Sequence, residues 1–393
     1  MSRCQGIVPP YLLDSVAQRC EGEVAARAAL TLRLEQSMRA QRQVRAARPS
    51  PPSPRPAAEG IVPPHLRSRL GEPTTLRGPR PPARPQSAEG QAEKTSPATP
   101  HRLVHDAQQG STLPGRRART EGEPPVADES VNEAYDGLGD TWRLLHEVYG
   151  RDSLDGEGLP LVASVHYERG YDNAFWNGEQ MVFGDGDGVI FASFTDSVDV
   201  IGHELAHGLT QYTSGLIYLA QAGALNESIS DVFGVLTAQY TAGQTAHEAD
   251  WLIGAKLFCP GVKGVALRSM KAPGTAYDDP RLGKDPQPAH MRDYQDLPHD
   301  DTGDNGGVHV NSGIPNHAFY RFATALGGHA WERAGQVWYD TITRRMPKDA
   351  DFATFAAVTV TAARDRYGDG DVLDALRASW DAVGVRPAPP ARG

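Results

Sequence analysis

The stretch that decides the reading is "VIGHELAHGLT" (200–210). Val200, Ile201, Leu205 and Leu209 recur at the spacing of one helical face, and no Pro interrupts them. On such a helix His203 and His207 are four residues apart and stand one turn above the other, so both imidazoles reach a common point. Glu204 lies beside His203 and faces that point from the side. Five residues alone leave two readings open: a pair of metal ligands with a neighbouring base, or two histidines on one helix by accident.

Further along, "GALNESISDVFG" (223–234) bears on the choice. Catalytic zinc takes three protein ligands and keeps one position open. Glu227, twenty residues after His207, follows a Gly–Ala pair read as a turn and is expected to begin a second amphipathic helix. Asp231 falls one turn later on the same face. The spacing suits Glu227 as third ligand and Asp231 as the acceptor that orients a ligand histidine. The other reading is a solvated acidic helix start.

Around this pair the pattern changes with position. Short runs with strand-like composition, "LVASVHY" (161–167), "QMVFGDGDG" (180–188) and "GVIFASF" (188–194), follow a predicted helix at 129–149. Helical patterns then dominate: 199–213, 225–241, 310–326, 331–344, 351–367 and 371–382. Strands first and helices after predict an α+β protein of two lobes. "DGDG" (185–188) fails the twelve-residue calcium-loop pattern and reads better as a tight turn between strands.

The first hundred residues differ. They hold 16 of the 31 prolines and carry +7, against −10 for the whole chain, so the remainder carries −17. A basic leader and an acidic body should attract each other. Nucleic acid is a weaker candidate partner, because no aromatic residues interleave the basic ones. Residues 21–47 read as a helix stable on docking, and 48–100, apart from the repeated phrase, as disordered. "CQGIVPPYLL" (4–13) is nearly repeated as "EGIVPPHLRS" (59–68). Three cysteines, one of them in the body, exclude a disulfide framework there. No run of ~20 apolar residues predicts membrane insertion, and no signal peptide of the usual plan opens the chain.

Taken with "NAFWNGEQMVFGDGDG" (173–188), "HELAHGLTQYTSGLIY" (203–218), "LRSM" (267–270) and "DNGGVHVNSGIPN" (304–316), residues 101–386 resemble the thermolysin-like neutral metalloproteases. The resemblance implies their two-lobed fold, with a β-rich lobe at 101–198, a helical lobe at 199–387 and a zinc cleft between. It implies one catalytic Zn2+ on His203, His207 and Glu227, with Glu204 as base to a zinc-activated water. It offers His309 and Tyr218 to the oxyanion, Asp304 to orient His309, and Asp231 as a ligand's support. Asn173 and the Ala174 backbone would grip an extended protein or peptide substrate, and Arg268 would meet its carbonyl beyond the scissile bond. The pocket after that bond would be Phe191, Phe194, Val200, Ile253, Leu257 and Leu267, favouring an apolar residue. Three of the five positions matching the double calcium site (Asp199, Ala238, Asp250, Leu252, Ala255) lack a carboxylate, so that site is expected to be absent. Val265 likewise stands where a further calcium loop would carry an acid.

The opening phrase resembles the short leader of protealysin-like precursors. That implies a propeptide (1–100 with its linker) removed on maturation, and export without a usual signal, with a cytoplasmic location as the alternative. Pro9, Pro10, Tyr11 and Leu12 are the expected anchor on the body. Cys4 offers a thiolate to the open zinc position, a small buried residue being the other reading. Rival classes, a non-catalytic peptide binder and a zinc aminopeptidase, would need a lost ligand or an acidic grip on a substrate amino terminus; neither is seen.

Overall fold

The computed structural model describes residues 5–47 and 99–389. The chain divides into two units, residues 1–42 with 99–393, and residues 43–98. Of the second unit only 43–47, the end of a helix, is described. The expectations for Cys4, for disorder at 48–98 and for the second copy of the repeated phrase lie outside the described residues.

The leader opens with strand β1 (Gln5–Gly6), helix α1 (Pro10–Arg19) and helix α2 (Gly22–Ala47). Pro10 begins α1, where a missing N–H costs nothing. In the body, β2 (Arg102–Asp106), β4 (Leu161–Val165) and β6 (Met181–Phe183) run parallel, with β3 (Arg116–Thr120) and β5 (Ala174–Trp176) antiparallel beside them. The sheet is six-stranded in the order β1-β5-β6-β4-β2-β3, so the leader supplies an edge strand. Gln5 pairs with Trp176, and Gly6 with Phe175.

Helix α3 (Glu129–Arg143) is capped by Asp128, which accepts the Val131 N–H, and it buries Val131, Ala134, Tyr135, Leu138 and Trp142. The predicted helix to 149 continues as a π-helical segment, Leu144–Val148. Two nearly fully buried helices follow, α4 (Val198–Tyr212) and α5 (Ala220–Ala242). They approach closely because Gly202 and Gly234 face each other. A Cβ on Gly202 would stand 3.0 Å from the Gly234 Cα, and one on Gly234 would stand 2.4 Å from the Asp199 carbonyl oxygen. The short strands β7 (Leu252–Ile253) and β8 (Arg268–Ser269) form a ribbon beyond them. Helices α6 (Asp304–Asn311), α7 (Gly313–Leu326), α8 (Arg333–Thr343), α9 (Phe352–Tyr367) and α10 (Asp371–Ala382) complete the helical part. Trp338 lies at their centre, with the rings of Phe319, Phe355 and Trp380 around it.

Three local expectations are corrected. Residues 188–194 form no strand; only Phe191 bridges, to Phe258. The "DGDG" turn follows β6 without joining two strands: Asp187 Oδ1 accepts from the N–H groups of Val189, Ile190 and Phe191. Glu227 lies inside α5 and does not begin it. Gly223 sits within the helix, where a Cβ would come 2.4 Å from Val308 Cγ1.

Candidate active site

Helix α4 presents His203 and His207, and α5 presents Glu227, all with buried side chains. Each histidine is oriented through Nδ1. His203 Nδ1 meets Asp231 Oδ1 at 2.8 Å; His207 Nδ1 meets Asn226 Oδ1 at 2.9 Å and Ser230 Oγ at 3.0 Å. An oxygen acceptor at Nδ1 places the proton there and leaves Nε2 with its lone pair. The two Nε2 atoms stand 3.1 Å apart, and Glu227 oxygens lie 3.5 Å from each. Two bare nitrogens and a carboxylate facing one another repel unless a cation lies among them, and Glu227 Oε2 has no hydrogen-bond partner. This donor set therefore fits a divalent metal, and it is the one such group among the described residues.

Electrostatics agree with that reading. Burial holds the His207 imidazole neutral, with its pKa lowered to about 3. Burial opposes charge on Glu227, but the nearby His309 outweighs it and keeps the carboxyl below its usual range. Asp231 is also buried, yet Arg268 clasps both its oxygens at 2.7 and 2.9 Å and holds it strongly ionised. Asn316 adds a fourth donor to Asp231 at 2.8 Å.

Glu204 accepts the Trp176 N–H at 2.8 Å through one oxygen, while the other has no hydrogen-bond partner. Burial, and then the nearby Glu227, push its pKa well up, as suits a group that must take a proton. Opposite, His309 Nδ1 is held by Asp304 at 2.7 Å, and Asp304 also accepts the His309 N–H at 2.8 Å. Burial disfavours a charged His309, but Asp304 and Glu227 raise its pKa to about 9. The Tyr218 hydroxyl lies 3.0 Å from His309 Nε2 and donates to Glu227.

The leader crosses this cleft. Gly6 O lies 3.1 Å from His309 Nε2, and Arg268 donates to Ile7 O at 3.0 Å. Ile7 N–H donates to Ala174 O at 3.1 Å. Asn173 takes both Val8 groups, at 2.8 and 3.0 Å. Ile7 is wholly buried, within the same apolar cluster as Phe191, Phe194, Val200, Ile253, Leu257 and Leu267. Pro9, Pro10 and Leu12 are buried, while Tyr11 is half-buried. Asn173, Ala174, Arg268 and His309 thus meet the leader directly, and Tyr218, Asp304 and Asp231 are hydrogen-bonded to the residues around it.

Several partners escape sequence reasoning. In α2, Glu35 accepts from Asn173 Nδ2 at 2.5 Å, and Thr31 accepts the Asp172 N–H at 2.9 Å. Arg27 donates to Gly186 O at 2.7 Å. The signal was present as Arg27, Thr31 and Glu35, each four apart in an alanine-rich run. Asn226, Ser230 and Asn316 were also missed, since neutral polar residues carry no spacing signature.

Comparison with known proteins follows the same geometry. Residues 105–211 match the family model for the thermolysin metallopeptidase catalytic domain, and 214–385 match its alpha-helical domain. An extracellular metalloprotease of Pectobacterium carotovorum subsp. carotovorum is 54% identical over 294 residues, covering 75% of this chain and 83% of that one. Protease PrtS of Photorhabdus sp. (strain Az29) is 53% identical over 289 residues, or 73% of this chain and 77% of that one. The solved precursor of protealysin, a metalloproteinase from Serratia proteamaculans, superposes with a TM-score of 0.79 at 44% identity, covering 97% of this chain and 99% of that one.

Proposed function

This chain belongs to the thermolysin family of metallopeptidases, and we propose that it hydrolyses internal peptide bonds with Glu204 as base and His309 and Tyr218 as oxyanion donors. Membership makes it a zinc metalloprotease, made as a latent precursor. The observation that carries the residue assignment is the buried His203–His207–Glu227 set, with His309 meeting the leader's Gly6 carbonyl and Glu204 held by the Trp176 N–H of the strand that pairs with the leader.

Zinc held by His203, His207 and Glu227 would supply Lewis acidity, polarising the substrate carbonyl and bringing the pKa of a water toward neutrality. Glu204 takes a proton from the attacking water and delivers it to the leaving amine. His309, kept protonated by Asp304, and Tyr218 donate to the carbonyl oxygen as charge builds there. Asn173 and Ala174 align the substrate as an added strand on β5, and Arg268 holds the carbonyl beyond the bond. The six-residue apolar pocket favours Leu, Ile, Val or Phe after the bond, at about 0.8 kcal/mol per buried methylene.

The leader is its own inhibitor in this reading, with residues 6–12 filling the cleft. Residues 1–100 are the removable part, 101–198 the β-rich lobe and 199–387 the helical lobe. Action outside the cell is favoured by one relative named as extracellular; no described helix is long and apolar enough to cross a membrane. Absence of the double calcium site is part of the proposal; it is supported by the missing carboxylates and by Asp199 accepting from Ser197 Oγ and from Gly254 N–H, each at 2.5 Å. Casein hydrolysis and bound zinc, measured with and without Glu204→Gln, test the proposal. A metal-free chain, or full activity in the variant, would overturn it.

A further inference from the structure

The leader's register on β5 points past the residues that the cleft holds. Gln5 pairs with Trp176 and Gly6 with Phe175. Continued in this antiparallel register, Ile7 stands opposite Ala174, Val8 opposite Asn173, and the next residue opposite Asp172. The leader does not use that last place. Pro9 has no N–H to offer a ladder, and Pro10 starts α1, which turns the chain away. Antiparallel pairs alternate between those that exchange backbone hydrogen bonds and those that do not. Ile7 N–H donates to Ala174 O at 3.1 Å, so the next pair due to bond is the one at Asp172. Its N–H is taken by α2 instead: Thr31 Oγ1 accepts it at 2.9 Å, as the carbonyl of an added strand would.

The same helix covers the Asp172 side chain. Asp172 is 1% exposed, and its Oδ1 has no hydrogen-bond partner. The guanidinium of Arg27 stands 3.6 Å from that oxygen and donates to Gly186 O at 2.7 Å. Gly170 makes room for it, since a Cβ there would fall 2.9 Å from Arg27 Nε. Burial, and then the charge of Asp187, push the Asp172 pKa up to about 7 even with Arg27 beside it. A carboxylate and a carbonyl oxygen thus share one cation, in surroundings short of positive charge. That cation belongs to the leader, and it departs with the leader.

We infer that Asp172, with Gly186 O, forms a subsite of the mature enzyme for an arginine or lysine side chain, carried by the substrate at the third residue after the scissile bond. The inference rests on the peptidase reading above, with Ile7 in the place of the first residue after the bond. The Ile7 side chain lies in the apolar cluster of the proposed pocket, and Arg268 holds its carbonyl. Val8 is then the second residue, and the third faces Asp172. Residues directly opposite in an antiparallel pair put their side chains on one face, with Cβ atoms about 4.5–5.5 Å apart. A basic side chain at that place therefore reaches the carboxylate that Arg27 covers in the precursor. Arginine suits it better than lysine, because a planar guanidinium can serve the carboxylate and Gly186 O together.

The test uses the parent and Asp172→Asn chains, each matured until its leader is gone. Both receive three synthetic peptides that share one apolar residue after the scissile bond and differ only at the third: Arg, Ala or Glu. Rates are measured at about pH 8, above the Asp172 pKa. In the parent, kcat/KM for the Arg peptide should exceed that for Ala by ~5-fold, with the difference in KM. The Glu peptide should be the poorest, and added salt should shrink the spread. In Asp172→Asn the Arg-to-Ala ratio should fall to about one. Each ratio is internal to one enzyme, so a partly folded variant does not distort it. If Asp172→Asn fails to mature, the parent decides: an Arg preference that salt leaves unchanged overturns the subsite. Equal rates on Arg and Ala in the parent, or an Arg preference that survives Asp172→Asn, overturn it too and leave the peptidase reading standing. Failure of the parent to cut any of the three peptides removes both.

Discussion

Glu35, on the leader's long helix, accepts a hydrogen bond at 2.5 Å from the side-chain amide of Asn173, the residue that also clasps Val8. Leader and substrate grip are therefore tied at two points, one on the strand and one on α2. Replacing Glu35 with Ala leaves a buried donor unpaired, which costs about 1–3 kcal/mol. The precursor of Glu35→Ala should lose latency sooner than the parent, read as the lag before peptide hydrolysis begins. An unchanged lag would remove α2 from the latch.

Glu204→Gln should keep its zinc and lose about 10⁴-fold in kcat, while His309→Ala should lose about 10²-fold. The ordering follows from chemistry: without the base no proton moves, whereas Tyr218 still serves the oxyanion without His309. Zinc content and kcat of the two matured variants check it, and the reverse ordering would exchange the roles.

His166 gives a pH dependence away from the metal ligands. The Asp185 carboxylate at 2.7 Å and Asp128 at 3.0 Å raise its pKa from 6.5 to about 9 against the cost of burial. A folded-state pKa above the unfolded one means the contribution is complete below pH 6.5 and is lost as pH rises toward 9. Thermal unfolding of the inactive Glu204→Gln chain should show Tm falling over that window. The fall should be smaller when His166→Gln is added; equal slopes would dismiss the clamp.

Calcium should matter little to stability. Both Asp199 oxygens already have protein donors, and calcium needs six to eight oxygen ligands. A chelator too weak to strip zinc should leave Tm unchanged, and a large drop would place a calcium site where none is assigned.

In the pocket proposed after the scissile bond, the bulk of Phe194 should favour Leu over Phe. Cleavage-site mapping in a peptide library checks this, and a preference for charged residues would refute the pocket.

The catalytic helices were the legible part of the fold, because a buried amphipathic helix repeats its signal over many residues. His203, His207 and Glu227 were legible for a different reason: ligand chemistry constrains residue type and spacing together. The strands β2, β3 and β5 were not. At three to five residues they carry too few alternations, and "RRART" (116–120) is charged where a strand signal should be apolar. Gly223 misled because glycine inside a helix usually marks an end, whereas here it makes room for Val308. Helix α1 was hidden by its own prolines, read as a stiff anchor when the second of them is a helix start. The grip of α2 on Asp172 and Asn173 is a tertiary fact, joining residues about 140 apart in the chain, a separation that local patterning does not register.

One consequence follows from β1 as the outermost strand beside β5. A sheet edge with unpaired N–H and C=O groups recruits any extended chain, including a neighbour's, and proteins usually shield such edges. Here the unshielded edge is the workbench, so it cannot be blunted with charge or proline without losing its purpose. The leader strand covers that rim of β5, so removing it should leave the rim open to an extended substrate and to other copies alike.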